Sequence, residues 1–243
     1  MAGDPPSGRI LLKLSGELLA GGRGSGLDPE ALAAYADELV KVAREGYRLG
    51  VVIGGGNVIR GVAAASISRN RADSMGMLAT VINAIALQDA VEKAGGRAEV
   101  LTAFMVQGLT PYSYDEASRI LDSGAMAVYA GGTGNPYLST DTAAALRAVQ
   151  TGCSLLLKGT KVDGVYDMDP KLHPGAKRFP RLTWDEVLSK GLGVMDAAAV
   201  AVCRDNSLPF LVFDSTDPAG VSRALRDGST GTLVGEGAPG CQD

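Results

Sequence analysis

Three features of this chain have residue types and spacings suited to handling phosphate. The first is Gly54-Gly55-Gly56-Asn57, which follows a short aliphatic run, so that consecutive backbone N–H groups can face an anion with no side chain in the way. Glycine at such a junction often serves only the turn, but Arg60, three residues on, adds a bidentate donor beside the same loop. The second feature is a pair of lysines. Lys13 closes an apolar run beginning at Arg9 and is followed by Leu14, Ser15 and Gly16, and Lys158 closes Ser154-Leu-Leu-Leu in the same manner. A lone lysine ending an apolar strand is commonly a snorkelling surface residue; two of them at the edge where the glycine loops gather point to a shared anion. The third is Asp141, at the start of a helical pattern, where a helix cap and the helix dipole are reason enough for an acid. The alternative is that its carboxylate holds both lysines, and spacing alone leaves the two readings open.

Other chemistries find little support. There is no GxxxxGK[ST] and no strand-linked GxGxxG with an acidic residue downstream, so neither a P-loop nor a dinucleotide site is indicated. His173, the only histidine, lies in a polar turn, which leaves a Ser-His-Asp triad or a multi-histidine metal site without material. Cys153, Cys203 and Cys241 make no CxxC pair and read as reduced, inert thiols. A net charge of -4 and a pI near 5.1 argue against binding nucleic acid or an anionic membrane through a basic face, so any phosphate site is a local pocket. The N-terminus lacks a basic region followed by an apolar one, as a signal peptide requires. The most membrane-like stretch, 75–91, is interrupted by Thr80, Asn83, Gln88 and Asp89 and is expected to be too short and too polar to span a bilayer. A cytoplasmic protein is the expectation.

These residues need a scaffold, and the hydrophobic pattern supplies one. Aliphatic runs at 9–14, 51–53, 98–102, 126–129, 154–158, 209–214 and 231–234 alternate with helical patterns at 29–45, 74–94, 115–121, 140–150, 184–190, 196–205 and 218–226. Strand and helix taking turns imply an α/β fold of three layers, αβα, with a mostly parallel open sheet and helices on both faces. Loops at 54–56 and 131–134 and the Lys13–Gly16 turn then fall outside the carboxyl ends of strands, where such sheets bind ligands. No repeat or linker divides the chain, so a single domain is expected at 9–234, with an N-lobe over 9–152, a C-lobe over 153–234 and flexible tails at 1–8 and 235–243. The pattern at 75–91 is apolar on nearly every face, which asks for cover from its own domain or from another subunit.

Taken together and in order, the motifs Lys13-Leu-Ser-Gly16, Gly54-Gly-Gly-Asn57 with Arg60-Gly61, Met75-Gly-Met-Leu-Ala-Thr80, Gly132-Thr-Gly-Asn-Pro136 with Ser139-Thr-Asp141, and Lys161-Val-Asp-Gly-Val-Tyr166 with Asp169-Pro170 resemble those of the bacterial UMP kinases of the amino acid kinase family. The likeness runs from about Arg9 to Val234. It departs from the family chiefly between Arg60 and Asp73, a segment slightly shorter than the usual spacing.

The resemblance implies transfer of the γ-phosphoryl group of ATP to UMP, with Lys13, Lys158, Asp141 and Arg60 as the catalytic set and Mg2+ carried by the ATP phosphates. It implies that Lys13, Leu14, Ser15 and Gly16, with Gly56 and Arg60, hold the ATP phosphates, and that Thr160, Tyr166 and Asp169 line the adenosine side. UMP would lie against Gly55, Asp73, Thr133, Gly134, Asn135, Pro136, Tyr137, Leu138, Ser139 and Thr140. Asp73 would accept from the ribose hydroxyls, although it reads equally as a helix N-cap before Ser74. The loop Gly21, Gly22, Arg23, Gly24, Ser25, Gly26 resembles one tied to GTP regulation in the family, with UTP as a second effector, and the assembly implied is a homohexamer. Asp163 and Asp196 read as a turn residue and a helix cap, neither catalytic. The same fold also hosts carboxylate and carbamate kinases and a non-catalytic storage protein; Lys13, Lys158 and Asp141 occurring together favour catalysis.

Overall fold

The computed structural model describes residues 8–59, 67–226 and 230–236. In chain order the elements are β1 (Arg9–Leu14), a 3-10 segment (Gly16–Arg23), α1 (Pro29–Arg44), β2 (Arg48–Ile53), α2 (Arg69–Lys93), β3 (Ala98–Thr102), β4 (Thr110–Pro111), α3 (Tyr114–Asp122), β5 (Met126–Ala130), α4 (Thr140–Gln150), β6 (Leu155–Thr160), β7 (Val165–Tyr166), β8 (Arg178–Phe179), β9 (Arg181–Leu182), α5 (Trp184–Ser189), α6 (Ala197–Asp205), β10 (Phe210–Asp214), α7 (Gly220–Arg226) and β11 (Gly231–Val234). Nine strands form one sheet in the order β4-β3-β5-β2-β1-β6-β10-β11-β9, parallel except for the β10–β11 pair. β7 and β8 make a separate antiparallel ribbon.

Strand periodicity decides which way the lysines point. On β1, Ile10, Leu12 and Leu14 enter a core with α1, α2 and α7, while Leu11 enters a second core with α3, α4, α5 and α6 on the other face. Lys13 shares the parity of Leu11 and therefore leaves the sheet on the α4 side. On β6, Leu157 belongs to the first core and Leu156 to the second, which sends Lys158 to the α4 side as well. The two strands are parallel neighbours, and their register places Lys13 directly beside Lys158. From β1 the chain moves to β2 on one side, and after β6 it builds the opposite side, so the crevice outside these two strand ends is a topological switch point.

Three expectations need correction. Residues 1–7 and 237–243 of the expected tails lie outside the described residues, but Gly8 accepts from Arg48 N at 3.4 Å and Gly235 N donates to Leu182 O at 3.1 Å, so both belong to the domain. α2 begins at Arg69 with Ser68 as its N-cap, which puts Asp73 within the helix instead of capping it. At 25 residues this helix is, by length and composition, long and apolar enough to cross a membrane, against the reading of 75–91. It nevertheless packs on the sheet through Ala79, Val81, Ala84, Leu87 and Val91, while Leu78, Ile82 and Ile85 stay about half exposed.

Candidate active site

Asp141 lies between the two lysines. Lys13 Nζ is 2.8 Å from Asp141 Oδ1, and Lys158 Nζ donates to Oδ1 at 2.5 Å and to Oδ2 at 2.6 Å. The side chains are 10%, 14% and 9% exposed for Lys13, Asp141 and Lys158, so the three charges interact with little screening and sum to +1. Burial pushes the Asp141 carboxyl up, but Lys13 and Lys158 outweigh burial and hold it below its ordinary range. Burial, reinforced by the Lys13 charge, outweighs Asp141 at Lys158 and pulls its ammonium from the ordinary 10.5 down to about 8. One carboxylate cannot satisfy two desolvated ammoniums; a further anion placed here would satisfy the surplus charge.

The helix start frees Asp141 for this role. Ser139 is the N-cap of α4 and accepts from Asp141 N at 2.9 Å and Thr142 N at 3.2 Å, so the capping that spacing could have assigned to Asp141 belongs to its neighbour. Ser139 Oγ also donates to Asp196 Oδ2, and Asp196 Oδ1 accepts from Thr142 Oγ1 at 2.8 Å and from Ala199 N at 2.9 Å. Asp196 is the cap expected of α6, and it also ties that helix end to the one carrying Asp141. Sequence offers no signal for the second role, because it depends on contacts across 57 residues.

The glycine loop is interlocked with the turn after β1. Gly54 N donates to Leu14 O at 2.9 Å, and a Cβ on Gly16 would stand 2.2 Å from Gly54 O. A Cβ on Gly55 would meet Gly76 O at 2.7 Å and Ala79 Cβ at 2.8 Å, so α2 approaches this loop as closely as backbone allows. Gly56 faces Glu17, which pairs with Lys161 at 2.5 Å and links the turn after β1 to the end of β6. Asn57 does not face outward. It is 1% exposed and exchanges amide hydrogen bonds with the fully buried Asn83, at 2.9 and 2.7 Å, while Asn83 Nδ2 also donates to Gly54 O at 2.7 Å. Among the described residues after the loop, 57–59 start no helix, and residues 55–59 close as a turn on Gly55 O. Arg60 lies outside the described residues.

On the α2 side, Gly131, Gly132 and Gly134 adopt φ of 80°, 59° and 80°, a bend that glycine alone makes without strain. Gly131 N donates to Thr80 Oγ1 at 2.8 Å, and Thr133 and Asn135 bond to one another in an exposed turn. Tyr137 N donates to Asp73 Oδ2 at 2.8 Å, which joins two expected acceptor-binding segments, and Thr140 Oγ1 borders Gly54. On the opposite side Thr160 ends β6 and donates to Val162 O at 2.6 Å, and Tyr166 OH donates to Asp163 Oδ1 at 2.6 Å. Asp169 accepts from Lys171 N at 2.9 Å in an exposed turn and is not bonded to the lysine pair. A cleft of about 360 Å³ near the end of β10 is lined by Asp163, Arg178, Phe213, Asp214, Gly220 and Arg223, without Tyr166 or Asp169. The loop 21–26 is exposed, and Gly26 exchanges hydrogen bonds with Asn57 at 2.8 and 2.7 Å.

The sequence profile of the amino acid kinase family matches residues 8–214. The chain belongs to the amino acid kinase family. It is 48% identical over 229 residues to the uridylate kinase of Xanthomonas campestris pv. campestris, an alignment covering 93% of this chain and 95% of that protein. The crystal structure of UMP kinase from Ureaplasma parvum superposes with a TM-score of 0.89 at 35% identity, covering 94% of this chain and 99% of that one. The structure of UMP kinase from Bacillus anthracis gives a TM-score of 0.89 at 34% identity, covering 95% and 96%. Fold and family are therefore as the motifs implied: a mostly parallel sheet between helices, in an amino acid kinase with a phosphotransferase's relatives.

Proposed function

We propose that this amino acid kinase transfers the γ-phosphoryl group of ATP to UMP, giving UDP and ADP. The observation that carries the reading is the Lys13–Asp141–Lys158 cluster, a buried net cation at the switch point of the sheet. In the transfer, a phosphate oxygen of UMP forms the new bond to the γ-phosphorus as the bond to the β–γ bridging oxygen breaks, and charge spreads over the moving group. A phosphate monoester has its second pKa at about 6, so the acceptor arrives as a dianion and no general base is needed. The lysines' task is electrostatic: they hold donors where negative charge accumulates, and Asp141 keeps both aimed.

Ser15, Gly16 and Gly56 support the ATP phosphates in this reading, Gly55 and residues 133–140 support UMP, and the cleft beside Asp214 takes the adenosine end. Among the described residues no three His, Cys, Asp or Glu side chains converge as metal ligands. In this reading Mg2+ comes in on the nucleotide's phosphate oxygens, where it would neutralise part of their charge. The lobe assignment, with UMP over 9–152 and ATP over 153–234, follows from the same placement. A cytoplasmic homohexamer regulated by UTP and GTP belongs to this reading as well, supported by the half-exposed Leu78, Ile82 and Ile85 stripe and by the bonding of the 21–26 loop to Asn57.

A coupled assay with Mg-ATP across UMP, CMP, aspartate and acetylglutamate tests the proposal. UMP is expected to be much the best acceptor, because a site that reads polar edges leaves buried groups unpaired with the wrong base. Equal turnover of CMP and UMP, or turnover of the amino acids alone, would overturn it. The pH profile gives a second expected result. Lys158 is held down at about 8, so in the free protein its cation is lost as pH rises through that value, and kcat/KM falls on the alkaline side. Lys158→Arg keeps its charge to higher pH and moves this limb upward. A wild-type profile flat from pH 7 to about 9.5 would count against a role for the Lys158 charge.

A further inference from the structure

Asp73 on α2 is held from two directions. Arg69 Nε donates to Asp73 Oδ1 at 3.0 Å and Oδ2 at 2.8 Å, and Tyr137 N donates to Oδ2 at 2.8 Å. The Arg69 guanidinium lies 5.4 Å from the centre of the Tyr137 ring. Tyr137 has φ +71°, a conformation that a non-glycine residue adopts at a cost, so its N–H is aimed at Asp73 against local preference. The Tyr137 N–H first, with Arg69 assisting, holds the Asp73 carboxyl below its ordinary range.

Helix stability does not account for Arg69. It opens α2, where the dipole favours acids, yet the first turn contains no acidic residue and carries Arg71 as well. An exposed pair four residues apart, with the base on the N-terminal side, adds little to a helix. The bonding leaves specific capacity uncommitted. A carboxylate has about four lone-pair directions, and Asp73 Oδ2 uses two of its own while Oδ1 uses one. Arg69 is engaged through Nε, and neither Nη nitrogen donates to a described residue. One acceptor and a donor pair therefore stand side by side on a held frame, which matches two adjacent hydroxyls, one donating and one accepting.

We propose that Arg69 is a specificity-determining residue that reads the acceptor's ribose together with Asp73. One ribose hydroxyl donates to Asp73 Oδ1, and its neighbour accepts from an Arg69 Nη. This inference rests on the function proposed above and on the placement of UMP beside Asp73. It makes the pair, and not Asp73 alone, the feature that separates a ribonucleotide from its 2′-deoxy analogue.

The test is steady-state kinetics with UMP and 2′-deoxy-UMP for the wild type, Arg69→Ala and Arg69→Lys, with thermal melts of all three. The wild type is expected to prefer UMP in kcat/KM by about a hundredfold or more. Arg69→Ala lowers that preference by roughly tenfold, the size of one hydrogen bond to a charged group, through a raised KM for UMP with kcat little changed. Arg69→Lys keeps the charge but lacks the fork that binds Asp73 and ribose at once, so it does not restore the preference. If Arg69 only supports the helix, KM rises equally for both nucleotides and the ratio stays at its wild-type value, which overturns the inference even though UMP remains a substrate. A wild type that turns over no UMP is a different failure, and it overturns the function proposed above.

Discussion

Replacing Lys13 or Lys158 with Ala is expected to lower kcat by about a hundred- to a thousandfold, and Asp141→Asn to do the same with the shape of the site intact. The two ammoniums are nearly buried and aimed by one carboxylate, so they act where water cannot substitute for them. If they stabilise charge that develops during transfer, their loss appears in kcat far more than in ground-state nucleotide binding. Asp141→Asn adds a second effect. Without the carboxylate the neighbouring lysines repel with nothing to offset their desolvation, and Lys158, already drawn down to about 8, loses its proton at neutral pH. The variant should thus combine slow transfer with an alkaline limb displaced toward lower pH. If the cluster works as a unit, the double Lys13→Ala, Lys158→Ala variant should be much less impaired than the product of the single effects. If instead the lysines were snorkelling surface residues and Asp141 a helix cap, each change would cost about 1 kcal/mol of stability and leave turnover nearly intact. Normal kcat in Lys13→Ala and Asp141→Asn, with only the melting temperature lowered, would refute the assignment.

The convergence of these three residues was partly readable in the chain. Leu11 and Lys13 share one strand parity, as do Leu156 and Lys158, and the apolar residues between them face the opposite core. What alternation cannot supply is that β1 and β6 lie side by side in the register pairing Lys13 with Lys158, since this depends on sheet order. β1, β3, β11 and α4 fall at the bounds their apolar runs suggest, because local pattern and tertiary packing agree there. The start of α2 was not legible. Arg69-Asn-Arg-Ala-Asp73 has no apolar period, and its helix is supported by Asp73 reaching Tyr137, 64 residues away. The two-residue strands β4, β7, β8 and β9 exist only through their partners. Asn57 was legible as part of a glycine loop but not as a buried residue, because the amide that satisfies it belongs to Asn83 in the middle of α2.

Gly16→Ala is expected to impair the enzyme almost as severely as loss of a lysine, although it removes no functional group. A Cβ at this position would stand 2.2 Å from Gly54 O, 2.8 Å from Gly54 C and 2.5 Å from Asn57 Oδ1, all inside the 3.0 Å that real Cβ atoms keep. None of these atoms yields easily. Gly54 O accepts from Asn83 Nδ2 and Gly54 N donates to Leu14 O, while Asn57 is fixed by Asn83 and Gly26. The turn after β1 and the glycine loop must therefore move apart, and with them the N–H groups that flank the lysines. A misplacement of about 1 Å in groups that position reactants costs on the order of a hundredfold in rate, and forcing a methyl into a packed contact costs about 1–3 kcal/mol of stability. Both kcat and the KM for ATP should suffer, whereas Lys13→Ala acts mainly on kcat. Gly175→Ala is the matching control, because a Cβ there meets nothing within 4 Å and its φ is an ordinary one. Kinetics and thermal melts of the two variants decide the matter: wild-type kcat and KM in Gly16→Ala would show that the two loops are free to separate and that their interlock does not position the phosphates.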